Sequence, residues 1–228
     1  MTRTRAPQRL DEIVDAALAS FSSVGYRRTR MSDVATGAGV SPGLLYSYAE
    51  NKEALFALVV QRESGVDIHE LSLPVESPAP RELTALLRVA FADLTMSELE
   101  DGQPSKLSAD VNAEIATIVG AHFDAVVNAR RLLQLVERCA SDWPELTQSH
   151  FGKNRRSLVD RLATYLGHQR DAGRLAPIGD VDITARYVIE TVAWFANHRF
   201  GDHDGARLDD DAVRAEVIQL ITRSLTGR

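Results

Sequence analysis

The sequence holds one cysteine, Cys139, in 228 residues. A lone thiol forms neither an internal disulfide nor a multi-thiolate zinc site, so packing must hold the fold. No apolar run approaches the roughly eighteen residues that a membrane span needs. The N-terminal stretch MTRTRAPQRLDE has arginines but no apolar core, so it does not read as a secretory signal, and a cytoplasmic protein is expected. Sustained period-2 alternation and Asn-Gly turns are missing, which argues against a β domain. There is no repeat of 20–50 residues and no low-complexity tract. None of the six histidines forms an i, i+4 pair, and Asp202-His203-Asp204 reads as a turn, so neither a metal nor a cofactor is expected. Lysine is scarce too: 23 of 26 cations are arginine, a bias that GC-rich coding explains.

What is present is ordinary globular composition, 44% apolar and 25% charged. A chain of this length buries roughly 70–75% of its unfolded surface and fits one or two domains. The net charge of −6 speaks against a nucleic-acid partner until it is divided along the chain. Residues 1–62 carry eight cations against six acids, while the remainder carries eighteen against twenty-six. A basic N-terminal module precedes an acidic body.

Helical periodicity dominates. Leu10, Ile13, Val14, Ala17, Leu18 and Phe21 form one stripe, and Gly25 follows the expected end near Ser23. A short helix is expected over 31–38, closed by Gly39. Ser41-Pro42 then restarts the chain, a hydroxyl cap followed by a proline at the first helical position. A fourth helix is expected from Asn51 to about His69. The stretch SLPVESPAP (72–80), with three prolines, cannot continue it. Further helices are expected over 81–99, 106–119, 121–141, 145–171, 181–199 and 209–226. The last opens on three aspartates that suit its dipole.

The segment MSDVATGAGVSPGLLYSY combines a short helix, the turn Gly39-Val40-Ser41 and a second short helix. Val34 and small Ala35 face inward, Gly39 takes the left-handed turn, and Val40 with Leu45 locks the helices together. This is helix-turn-helix patterning, which presents the second helix to a DNA major groove. A structural corner between two helices gives the same local pattern. The glycines at 37, 39 and 43 superficially suggest a dinucleotide loop, but a helix, not a strand, precedes them.

Over residues 9–56 the chain resembles the tetracycline-repressor (TetR) family of bacterial transcriptional regulators. The resemblance runs through EIVDAALASF and VGYRRTRMSDVATGAGVSPGLLYSYAENKEALF. It implies an all-α fold of about ten helices: an N-terminal three-helix helix-turn-helix domain over 1–70 and a helical effector-binding and dimerisation domain over 71–228. It implies a homodimer on a palindromic double-stranded operator, released by a small-molecule effector of unknown identity. Tyr46, Tyr48 and Lys52 match the family's phosphate contacts, while Pro42, Gly43, Leu44 and Ser47 occupy the exposed, base-reading side. Arg27 and Arg28 read either as phosphate contacts, the expectation kept, or as ordinary surface charge, and Arg30 is expected to meet phosphate. Arg3, Arg5 and Arg9 would form a flexible basic arm. Three positions depart from the family: Leu44 for a common threonine, Ala49 for a phenylalanine whose space Phe56 is expected to fill, and Arg30 for a hydroxyl cap.

In the body, Phe91, Phe123, Trp143, Tyr165, Trp194 and Phe195 fall at helical spacing and read mostly as core. If an effector binds there, Phe91, Phe123 and Trp194 are the candidates to line its site. The helices near 181–199 and 209–226 carry more apolar surface than one stripe each, which points to a four-helix dimer interface without any membrane role. A helix-turn-helix protein without a small-molecule effector, controlled by a protein partner or acting architecturally, and an all-α cofactor-independent enzyme are the competing readings.

Overall fold

The computed structural model describes residues 5–96, 99–100, 103–104, 109–142 and 155–227. Trp143, His150, Arg3 and the starts expected for helices at 106 and 145 lie outside them. The described residues contain ten α-helices and one two-residue antiparallel ribbon, Leu99–Glu100 with Gln103–Pro104. The fold is all-α, as the periodicity predicts. It divides into two compact units, residues 1–90 with 131–152, and residues 91–130 with 153–228.

The first unit opens with α1 (Arg5–Val24), whose predicted stripe from Leu10 to Phe21 is buried. Gly25, at φ +87°, turns the chain where a side chain would be strained. Next come α2 (Met31–Gly37), a left-handed Gly39 at φ +63°, and α3 (Pro42–Leu45). The Ser41 hydroxyl accepts the Leu44 amide at 3.2 Å, satisfying a donor that α3 would otherwise orphan. Helix α4 (Lys52–Glu63) starts on the Asn51 cap and is buried at every residue from Ala54 to Val60, the centre of this unit's core. It does not reach His69 as its periodicity suggests. Left-handed Gly65 follows its end, and residues 68–70 form a separate 3₁₀ turn.

The proline-rich stretch after it is pinned to the helix-turn-helix. The Val75 amide donates to the Tyr48 carbonyl at 2.9 Å, and the Glu50 amide to the Val75 carbonyl at 3.0 Å. The Ser77 amide donates to Glu50 Oε2 at 3.0 Å. Helix α5 (Pro80–Ala90) then leads into a 3₁₀ turn over 92–95, where the sequence suggests one continuous helix.

The second unit contains α6 (Val111–Asn128). The sequence places a break at Gly120, yet α6 passes straight through it. A Cβ there would stand 3.3 Å from Arg214 and Ile218, so this glycine serves close packing rather than a turn. The chain breaks instead at Ala129, and α7 (Arg130–Ala140) belongs from Arg131 onward to the first unit. Helices α8 (Arg155–Asp171), α9 (Val181–Ala196) and α10 (Asp210–Thr226) complete the second unit around α6. The α9–α10 loop is organised by Arg199, 1% exposed, which donates to the carbonyls of Phe195, Gly205 and Leu208 and pairs with Asp210.

Candidate nucleic-acid interface

The turn at Gly39 and the cap at Ser41 set the direction of α3. Leu45 is fully buried and anchors it. The opposite side is open: Pro42, Gly43 and Ser47 are exposed, as are Leu44 (41%) and Tyr46 (49%). A leucine is among the side chains most often found inside a fold, so exposed Leu44 is the unusual element. The Ser47 hydroxyl donates to the Leu44 carbonyl at 2.6 Å and keeps its lone pairs for another donor. Tyr48 is half-buried, and its carbonyl is the one held by Val75.

Between α1 and α2 runs the loop Gly25–Arg30. Thr29 is buried and bonds the Gly25 carbonyl through its hydroxyl at 2.8 Å. On either side of it Arg27, Arg28 and Arg30 are exposed. Arg30 caps α2 without a side-chain bond, as its lack of a hydroxyl predicts. The Arg27 amide donates to Asp142 Oδ2 at 2.9 Å, and Arg138 Nε donates to the Ser23 carbonyl at 3.1 Å, which tie the start of this loop to the end of α7. The loop is therefore fixed by its backbone, with the guanidinium groups left outside.

Lys52 is turned inward. Its ammonium donates to the carbonyls of Tyr26 (3.1 Å) and Thr29 (3.2 Å) and lies 4.5 Å from the centre of the Tyr26 ring. Tyr26 in turn donates to Glu53 at 2.6 Å. Burial, reinforced by that carboxylate, pushes the Tyr26 phenol well above its ordinary value, so it stays protonated and donating. Its ring stacks on Phe21 at 5.8 Å, and Phe56 meets both rings edge-on at 5.2 and 5.6 Å. Phe56 thus packs against Phe21 and Tyr26, and Ala49 is itself fully buried and bridged to Val75.

Of the expected basic arm, Arg3 lies outside the described residues and the other two arginines are helical. Arg5 and Arg9 lie within α1, and Arg9 pairs with Glu12 at 2.7 Å, because the helix begins ahead of its apolar stripe. Tyr26, Thr29 and Val75 carry structural weight that the sequence pattern does not assign them. The Gly-Tyr pair is a visible signal for Tyr26; nothing local signals Val75.

In the second unit, Phe91 and Phe123 are buried, but Trp194 is 41% exposed and packs edge-on to Phe195 at 4.8 Å. Trp194 shares its exposure with Ile183 (71%) and Tyr187 on α9, and with Leu220 on α10. Between α8 and α9 a shallow cleft is lined by Val159, Ile183, Tyr187 and the charged Asp182, Arg186 and Glu190. Deeper in, Glu114 is buried and accepts the Tyr165 hydroxyl at 2.7 Å. His122, two turns along the same side of α6, is buried with Nδ1 lacking any hydrogen-bond partner. Burial lowers its pKa to about 4, so the ring is neutral. Burial likewise pushes the Cys139 thiol up to about 12, which leaves it unreactive.

No helix among the described residues is long and apolar enough to cross a membrane. Residues 13–59 match the family described as "Bacterial regulatory proteins, tetR family". The HTH-type transcriptional regulator BetI of Rhizobium meliloti is 36% identical over 87 residues, 37% of this chain and 43% of that one. The chain spans less than half the length of the curated relatives it matches. Among solved structures, the TetR family regulator PfmR from Thermus thermophilus shares the fold over 99% of this chain and 98% of its own, with TM-score 0.54 and 18% identity. A SmeT–triclosan complex does so over 96% and 92%, with TM-score 0.51 and 20% identity. With the matched residues running from α1 into α4 and the helix-turn-helix geometry in place, residues 13–59 are those of the tetR family of bacterial regulatory proteins.

Proposed function

We propose that the protein is a cytoplasmic, homodimeric transcriptional repressor that leaves a palindromic operator when a small molecule binds, and that it is not an enzyme. In this reading residues 1–70 read DNA, and residues 71–228 bind the effector and dimerise. The observation that carries it is the open face of α3 together with three exposed arginines on the loop that leads into α2, in an otherwise acidic chain. Pro42, Gly43, Leu44 and Ser47 meet base edges, with Leu44 suited to a thymine methyl group. Tyr46, Tyr48, Arg27, Arg28 and Arg30 meet phosphates, and Lys52 belongs to the same interface through its internal contacts.

Dimerisation uses α9 and α10. Exposed Ile183, Tyr187, Trp194 and Leu220 supply apolar surface that a monomer would leave wet. A two-fold pair of such helices sets two reading heads against half-sites about 34–36 Å apart, or a multiple of that spacing. Effector binding in the second unit is supported by its buried polar groups and the unpartnered His122 nitrogen. A mostly apolar site with a few fixed polar groups is how proteins orient small amphipathic ligands. One structural neighbour is a triclosan complex. Phe91 and Phe123 line the site in this reading, and Trp194 is assigned to the dimer face because of its exposure. Ligand and operator then bind with reciprocal negative coupling.

Selection of bound fragments from sheared genomic DNA with the purified protein tests the reading. Enrichment of one palindromic sequence supports it; recovery of no enriched palindrome overturns it.

A further inference from the structure

Resting on the DNA-binding reading, the geometry points to Lys52 as a positioning residue that fixes the arginine loop, rather than as a phosphate contact. Three observations carry this. The ammonium bonds the carbonyls of residues 26 and 29, and between those two carbonyls lie Arg27 and Arg28, with Arg30 immediately after. It also lies against the Tyr26 ring at 4.5 Å, whose electron-rich face attracts a cation. The same ring is wedged between Phe21 and Phe56, and its hydroxyl is bound by Glu53, the residue next to Lys52. The first turn of α4 thus grips the loop through two adjacent side chains.

An ammonium has three donors, and two are committed to carbonyl oxygens. Swinging out to a phosphate would strip both carbonyls of that bond and give up the ring contact. A phosphate gains more from the exposed guanidinium groups, which break nothing in order to bind it. Lys52 closes the loop into one shape, and the loop then presents its cations to the backbone of the duplex. Its contribution to affinity is exerted through Arg27, Arg28 and Arg30.

The two roles give opposite results in a mutant cycle. The intact protein, K52M, K52R, the triple variant R27A/R28A/R30A, and the triple variant carrying K52M are titrated with the duplex enriched by the selection above, from 50 to 300 mM KCl. For a positioning role, K52M weakens binding tenfold or more in the wild-type background but less than threefold when the three arginines are gone. The salt slope falls by about two units or more, because several phosphate contacts loosen together. A direct contact instead gives equal losses in both backgrounds and a slope change of about one, which overturns the inference. K52R decides the matter if K52M folds poorly. Arginine binds phosphate at least as well as lysine, but its planar fork does not reproduce the grip on two carbonyls and a ring. Several-fold weakening by K52R supports positioning, and unchanged or tighter binding overturns it. Wild-type protein that binds no duplex sinks the DNA-binding reading itself, a result distinct from an additive cycle.

Discussion

The two units place their polar groups in opposite ways. Among the described residues, six polar or charged side chains are buried, and only Thr29 belongs to the first unit. Glu114, His122, Gln169, Asn197 and Arg199 all belong to the second. The first unit closes an apolar core around α4 and exposes its chemistry on a loop and a short helix. The second unit carries its chemistry inside, where every polar atom must find a partner or cost stability. In the proposed reading, function at the first unit is a matter of surface shape and charge. At the second, in the same reading, it is a matter of what the interior leaves unsatisfied.

The strongest test of that contrast is Arg199. Replacement by alanine orphans the carbonyls of Phe195 and Leu208, takes one of two donors from that of Gly205, removes the guanidinium from Asp210 and opens a cavity. The expected cost is roughly 3–5 kcal/mol, read from urea denaturation followed by circular dichroism. A cost below about 1 kcal/mol would mean that buried polar groups do not hold the second unit together.

His122 comes next, and it adds a pH dependence. Its folded pKa of about 4 lies below the ordinary 6.5, so the native state resists the proton that the unfolded chain accepts. The contribution is therefore complete above pH 6.5 and is lost progressively as pH falls towards 4. The loss is roughly 3 kcal/mol over that window. His122→Phe, which fills the site without titrating, should show a shallower fall than wild type by that amount. Parallel curves would place the imidazole in contact with water.

These residues also show where the sequence is informative and where it is not. Gly39, Ser41-Pro42, Ala35 and Leu45 do locally what their identities suggest, because turn, cap and helix contact are set within a few residues. The stripe of α1 is equally plain. What the sequence hides is decided by distant partners. Gly120 looks like a breaker but is a packing residue, since Arg214 and Ile218 lie ninety-odd positions away. Lys52 looks like a surface cation, and only the fold brings two carbonyls beneath it. Arg199 sits in a stretch of turn residues, and nothing local announces its burial. Trp194 has helical spacing that suits a core, and the packing of α9 leaves it outside instead.

In the first unit the effect at the α3 cap is smaller, because that contact is exposed. Ser41→Ala removes the bond to the Leu44 amide and should cost about 1 kcal/mol. Its effect on duplex binding should exceed that on stability, since α3 is only four residues long and the cap sets its direction. Equal losses would mean that α3 is held by Leu45 alone.

The smallest effect returns to the second unit and bounds the contrast from below. Arg214 holds Asp124 through two bonds of 2.7 Å, and the guanidinium lowers the Asp124 carboxyl below its ordinary value. The geometry is bidentate, the strongest form such a pair takes. Yet both side chains are nearly half exposed, so water and salt screen the attraction. A double-mutant cycle with Asp124→Asn and Arg214→Gln should give about 0.5 kcal/mol of coupling at low salt, and close to nothing at about 1 M. If burial rather than geometry sets the worth of a polar contact here, this pair must fall well below Arg199 despite its well-aligned bonds. Coupling above about 2 kcal/mol, insensitive to salt, would show that the second unit draws as much from its surface as from its interior.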